Sequence, residues 1–294
     1  MPEQLKADVS HKVKKIEVFT KRLVSVKFMG IYKSSIKGRG LDFSNFREYS
    51  ATDDASLIDW KVSARVNKPI IKEFVEERNL EVFLLIDVSS SMVFGSTKKL
   101  KNEYAAELAS TLSYAILNVG DSLGYGLLSD NFFNIVQPKV NKKLYYQLSR
   151  LLVNPEIYGG GYDLEKALEK CIQLLRRNSV LIIISDFIGL KGNWQEYLKK
   201  AAYSFDLIGI MLRDPRDREI PEDSNMIVIA DPFTDKQIIL DPNPRVREKY
   251  REFVEKEENE IADAFYKSHA DLLKLTTDQP FLIPLINFFK RRKK

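Results

Sequence analysis

Asp87, Ser89 and Ser91 stand at alternate positions directly after an unbroken apolar run, Val82-Phe83-Leu84-Leu85-Ile86. One carboxylate with two spaced hydroxyls offers only oxygen donors, the hard set that Mg2+ or Mn2+ prefers. Two further segments share this positional logic. A second apolar run, Val180-Leu181-Ile182-Ile183-Ile184, leads into Ser185-Asp186, and Gly159-Gly160-Gly161-Tyr162-Asp163 opens a helical pattern. Open α/β sheets bind ligands at the carboxyl ends of their strands. The three segments are therefore expected to converge on one sheet edge.

The same residues also have a structural reading. Asp87 and Asp186 can accept from loop amides, while Ser89 and Ser91 cap the next segment. Hydrolytic chemistry is disfavoured. His11 and His269 are the only histidines, and no Gly-x-Ser-x-Gly elbow is present. A haloacid dehalogenase-type phosphatase needs a second carboxylate two positions after Asp87, where Ser89 stands. Gly159-Gly160-Gly161 lacks the spacing of a dinucleotide fingerprint. The lone cysteine, Cys171, lies on an amphipathic helical pattern and reads as a small buried residue.

The elements that must position these groups alternate from residue 80 onward. The pattern predicts strand 81–87, helix 98–119, strands near 122–129 and 132–137, and helix 142–152. Helix 163–177, strand 179–186, helix 194–203 and strand 205–212 follow, then a hairpin near 226–230 and 236–240. Helix 245–267, strand 271–275 and helix 280–290 close the chain. Continuous apolar strands alternating with helices predict a doubly wound, mostly parallel sheet with helices on both faces. Residues 1–79 read differently: a polar helix within 3–24, a hairpin around Gly38-Arg39-Gly40, and a strand near 70–76. The expected organisation is a small N-terminal helix and β-rich subdomain, 1–79, and a main domain, 80–294.

The net charge of +5 comes from the end of the chain. Lys290 to Lys294 are all basic, and the remainder balances at 41 residues of each sign. That argues against general nucleic-acid binding. The basic tail, beside the apolar stretch 281–289, offers contact with an anionic membrane surface or stays solvated. No apolar run reaches the roughly 18 residues of a membrane span, and no signal peptide is visible. The expected compartment is the cytoplasm.

The set Asp87-x-Ser89-x-Ser91, a glycine loop opening a helix, and a later strand ending Ser185-Asp186 resembles a von Willebrand factor A domain. Upstream, Gly38-x-Gly40-x-Asp42-Phe43, Arg47-x-Tyr49, Asp53-Asp54, Ile58-Asp59-Trp60 and Ala64-Arg65 resemble the signature of the domain of unknown function 58 family. That family places such a block before a von Willebrand factor A-like domain. The resemblance implies a metal-ion-dependent adhesion site, with Ser89 and Ser91 ligating Mg2+ or Mn2+ and Asp87 and Asp186 acting through bound water. A partner carboxylate would complete the octahedron. It further implies a non-enzymatic adaptor between a MoxR-type AAA+ ATPase and a client protein. The chain departs from the family at Tyr162, where a threonine is usual. Asp163 could substitute as a ligand, or cap the following helix. Arg47, Asp53, Asp54, Asp59, Trp60 and Arg65 form a second candidate surface. They read either as a docking face or as ion pairs and a tryptophan anchor that fix the small subdomain.

Overall fold

The computed structural model describes residues 13–16, 20, 32, 42–50, 53–75, 79–222, 226–234 and 236–292. The chain divides into two compact units. The smaller spans 36–80, and the larger takes 81–294 together with the described residues before 35.

In the larger unit six strands form one sheet: β3 (Glu81–Asp87), β4 (Ser122–Leu128), β5 (Phe132–Lys139), β6 (Val180–Ser185), β7 (Asp206–Arg213) and β10 (Asp271–Thr276). Their spatial order is β10-β7-β6-β3-β4-β5. All neighbours are parallel except β4 and β5. Counted within this sheet, that is the doubly wound order 3-2-1-4-5-6, whose reversal point lies between β3 and β6. The doubly wound, mostly parallel sheet expected from the sequence is the one the chain adopts.

The apolar runs explain the centre of the sheet. Val82 to Ile86 and Leu181 to Ile184 are fully buried because helices cover both faces. Phe83, Leu85, Leu181, Ile183 and Leu207 face a core built with helices Leu164–Leu174, Trp194–Ser204 and Pro244–Lys267. Alternate residues point the other way, toward helix Lys101–Asn118, which presents Tyr104, Leu108, Leu112 and Ala115 as a buried stripe. Cys171 lies in the first of these cores, where burial pushes its thiol up to about 12. β8 (Ile227–Ala230) and β9 (Gln237–Leu240) pair as the expected hairpin.

The closing helix, Leu282–Arg292, corrects one expectation. Leu285 and Phe289 are fully buried, and Phe281 nearly so. The Phe281 ring meets Tyr104 edge-on at 5.5 Å and Phe289 meets Tyr32 at 5.7 Å. The apolar side of this segment thus belongs to the core. Arg292 is not a solvated tail residue: it donates to Asp271 at 2.7 Å and pairs with Asp206. Among the described residues no helix is long and apolar enough to cross a membrane.

The smaller unit is built from β1 (Asp42–Glu48) and β2 (Ile70–Val75), which pair antiparallel. Between them lies a helix, Trp60–Val66, that the β-rich reading did not anticipate. Asp59 caps it, accepting from the amides of Lys61 and Val62. Asn67 ends it in the left-handed region at φ 57°. Buried Ser63 accepts from Ile70 N at 2.8 Å and so ties the helix to β2. The expected turn at Gly38-Arg39-Gly40 and most of the helix expected within 3–24 lie outside the described residues.

Candidate functional site

β3 ends at Asp87 and β6 ends at Ser185, one residue before Asp186, with Ile86 aligned to Ile184. The two carboxylates therefore flank the point where strand order reverses, the place where such sheets bind ligands. Asp87, Ser89, Ser91, Ser185 and Asp186 are all at most 2% exposed. The convergence expected from the sequence is present.

Asp87 is held by uncharged groups. Ser89 N donates to its Oδ1 at 2.8 Å and Ser185 Oγ to its Oδ2 at 2.6 Å. Among the described residues no lysine or arginine pairs with it. Burial, and then the charge of Asp186, push its carboxyl up to about 7, against the opposing hydrogen bonds of Ser185 and Ser89. A short 3-10 turn, Ser90–Met92, follows. Ser89 occupies its N-cap position, yet its side chain makes no capping bond. Instead the Ser89 and Ser91 hydroxyls face each other at 3.1 Å.

The glycine loop packs directly on this turn. Gly159 N donates to Val88 O at 2.9 Å, and Ser90 N donates to Gly160 O at 3.1 Å. Gly160 has φ +79°, and a Cβ there would lie 2.5 Å from an oxygen of Asp130. Glycine takes this φ without strain, and any larger residue would also have to push the Asp130 carboxylate aside. Tyr162 does not stand in for a threonine. Its ring is buried in the core, and its hydroxyl lies 3.0 Å from Ser185 Oγ. Ser185 has a single proton, committed to Asp87, so the phenol is the donor in this contact. Burial, then Asp87, raises the phenol well above its ordinary value. Asp163 is a helix cap, accepting from Lys166 N at 3.0 Å.

Asp186 is treated differently. Its Oδ1 accepts from Ile188 N at 2.9 Å, and its Oδ2 takes the ammonium of Lys101 at 2.7 Å. Lys101, 1% exposed, also reaches Asp217 at 2.9 Å. Burial alone would push this ammonium down, but the two carboxylates outweigh it and raise its value. Asp217 in turn accepts from Asp214 N at 2.8 Å. Fully buried Asp214 accepts from Ser96 N at 2.9 Å, Ser96 Oγ at 2.5 Å and Thr277 Oγ1 at 2.9 Å. The loops after β3, β6, β7 and β10 are thereby stitched together. Arg213, 1% exposed at the end of β7, brings a second buried cation 3.6 Å from Glu257.

Sequence reasoning missed Lys101, Asp214 and Asp217. A signal for Lys101 existed: it precedes Ala105 by four residues and Leu108 by seven, so it shares the apolar stripe of its helix.

Among the described residues no three His, Cys, Asp or Glu side chains group to hold a metal. A divalent ion here must therefore use hydroxyls. The donor set fits: two adjacent ligands of an octahedral Mg2+ lie about 2.9 Å apart, close to the Ser89 to Ser91 spacing. The unpaired carboxylate of Asp87 supplies charge beside them. Asp186 fits less well, because one oxygen is already bound to an ammonium.

The second sequence-read surface separates into parts. Arg47 grips Asp53 through two bonds of 2.8 Å, which with Ser50 N lowers the Asp53 carboxyl to about 2. Asp54 caps the turn Ala55–Leu57, and Asp59 caps the next helix. These bonds all lie within the small unit. Trp60 is not the expected anchor. It opens a capped helix and is 71% exposed; Arg65 is exposed as well.

A family model described as "Protein of unknown function DUF58" matches residues 45–260, and the chain belongs to that family. Uncharacterized proteins of Mycobacterium tuberculosis and Mycobacterium bovis are each 25% identical over 300 residues, covering 100% of this chain and 94% of the relative. Similar solved structures include the conserved hypothetical protein BatB from Bacteroides thetaiotaomicron, at 16% identity and TM-score 0.49, over 72% of this chain and 98% of that one. An aerotolerance-related membrane protein from Bacteroides fragilis gives 16% and 0.47, over 72% and 99%.

Proposed function

We propose that this protein is a non-catalytic interaction adaptor that captures an acidic group of a client protein at the carboxyl-terminal edge of its sheet. The observation that carries this reading is the switch-point cluster of Asp87, Ser89 and Ser91: a buried carboxylate without a basic partner beside two hydroxyls 3.1 Å apart. Ser89, Ser91 and Asp87 would hold Mg2+ or Mn2+, and such an ion keeps a coordination position open to a partner carboxylate. The chain's own part is positioning. β3 sets Asp87 at the edge, Ser185 holds one of its oxygens, and the glycine loop braces the turn that carries the hydroxyls.

In this reading the second partner is a MoxR-type AAA+ ATPase, as the family resemblance implies. We assign it to the small unit, where exposed Trp60 stands on a helix fixed by the Asp59 cap.

Thermal unfolding with millimolar Mn2+ tests the first part. Binding to the native state raises the melting temperature, and Asp87→Ala should abolish the rise. An unmoved wild-type melting curve would remove the metal from the reading. Pull-downs test the second part. Trp60→Ala should lose the ATPase and keep the client, with Asp87→Ala doing the reverse. Loss of the same partner by both variants contradicts the two-surface adaptor.

A further inference from the structure

We propose that Lys101 is a tethered counter-cation: its ammonium holds Asp186 inside the fold and sets the divalent-ion affinity of the edge low. The inference deepens the reading of Asp87, Ser89 and Ser91 as an ion-holding cluster and rests on it.

The placement of Lys101 carries the argument. A lysine that is 1% exposed has given up hydration, and only strong partners make that tolerable. It has two, Asp186 at 2.7 Å and Asp217 at 2.9 Å. Its backbone is fixed as well, because Lys101 N donates to Phe94 O at 2.8 Å at the entrance of an 18-residue helix. The Phe94 ring then lies 5.5 Å from the ammonium. A partly exposed aromatic face therefore stands by the charge, an attractive contact in its own right.

Two consequences follow for an incoming cation. Asp186 cannot turn to it without leaving Lys101 and stranding a buried ammonium on Asp217 alone. The ammonium is also a fixed positive charge 2.7 Å from Asp186, and a cation drawn to that carboxylate would meet its repulsion. Among the described residues Asp87 has no such partner, so the ion is left with one carboxylate and two hydroxyls. Removing the lysine would reverse both effects, by freeing Asp186 and deleting the repulsion.

The experiment is Mn2+ binding followed by electron paramagnetic resonance on the full chain, comparing wild type with Lys101→Met, Lys101→Arg, Asp186→Asn and Asp87→Asn. Lys101→Met should bind Mn2+ at least tenfold more tightly than wild type, and Lys101→Arg within about threefold of it. Should Lys101→Met fail to fold, Asp186→Asn decides. It should lower Mn2+ affinity far less than Asp87→Asn does, because the ion does not use that carboxylate while Lys101 holds it. An affinity loss in Asp186→Asn as large as that of Asp87→Asn overturns the proposal. Binding by wild type with no gain in Lys101→Met overturns it and leaves the metal reading standing. Binding by Lys101→Met alone supports it and removes the ion from the wild-type reading. No binding by either folded protein overturns both.

Discussion

Asp87 and Asp186 close neighbouring parallel strands, and the sequence writes them alike, each after an apolar run. The molecule treats them as opposites. Asp186 meets a buried ammonium that also binds Asp217, and it is part of a stitch across the strand-end loops. Among the described residues Asp87 meets no cation, only uncharged donors from Ser185 and Ser89. Burial is equally complete at both, so what separates them is the partner. A buried carboxylate with a cation is scaffold. One without a cation is a position from which an ion or proton can be recruited, which is why burial and Asp186 push Asp87 up to about 7. Half of this edge is braced by a buried cation, and the other half, in the reading proposed above, is the half that takes a ligand.

The largest expected effect lies on the scaffold side. Lys101→Met strands Asp186 and Asp217 and should cost about 3–5 kcal/mol in urea unfolding. A loss below about 1 kcal/mol would mean that the pair is not holding the loops. Asp214→Ala comes next. It leaves Ser96 and Thr277 without their acceptor, and about 2–3 kcal/mol should be lost. Asp214→Asn, which keeps an acceptor, should lose less.

Glu258 gives a pH test away from the edge. Burial would raise its carboxyl, but Arg218 at 2.6 Å and Lys274 at 3.1 Å outweigh this and hold it below its ordinary 4.5. Its folded value is lowered, so its stabilisation is fully present above 4.5 and fades as pH falls through the folded value. The stability gap between wild type and Glu258→Gln should therefore narrow from pH 6 to pH 3. A constant gap would show that packing, not charge, separates the two proteins.

Removing residues 290–294 should cost about 0.5–1 kcal/mol through Arg292, whose partners are partly exposed, with a loss that shrinks in high salt. Smallest of all is Trp60→Ala. An exposed side chain on a capped helix should change stability by less than about 0.5 kcal/mol. A larger loss would return Trp60 to the role of an anchor.

These contrasts also mark what the sequence could and could not convey. The runs 82–86 and 181–184 were legible because strands buried on both faces are continuously apolar. The positions of Asp87, Ser89, Ser91 and Asp186 followed from them. Helix Trp60–Val66 was not legible. It buries little beyond Ser63, and its caps and the bond from Ile70 hold it, none of which makes a hydrophobic period. Lys101 was hidden by its type, since lysine reads as surface until a fold supplies two carboxylates. The departure at Tyr162 is visible in the sequence, but its reason is not: the ring joins the core and the hydroxyl meets Ser185.

The asymmetry of the two carboxylates is tested most directly by removing each charge in turn. Unfolding of Asp87→Asn and Asp186→Asn, measured in chelator at pH 8, should move in opposite directions. Asp87→Asn removes a buried charge with no counter-ion and keeps an acceptor for Ser89 N, so it should be more stable than wild type. Asp186→Asn breaks a charged hydrogen bond to Lys101 and should be less stable by about 1.5–3 kcal/mol. Equal destabilisation by the two, or a stabilising Asp186→Asn, would contradict the division of this edge into a scaffold half and a ligand half.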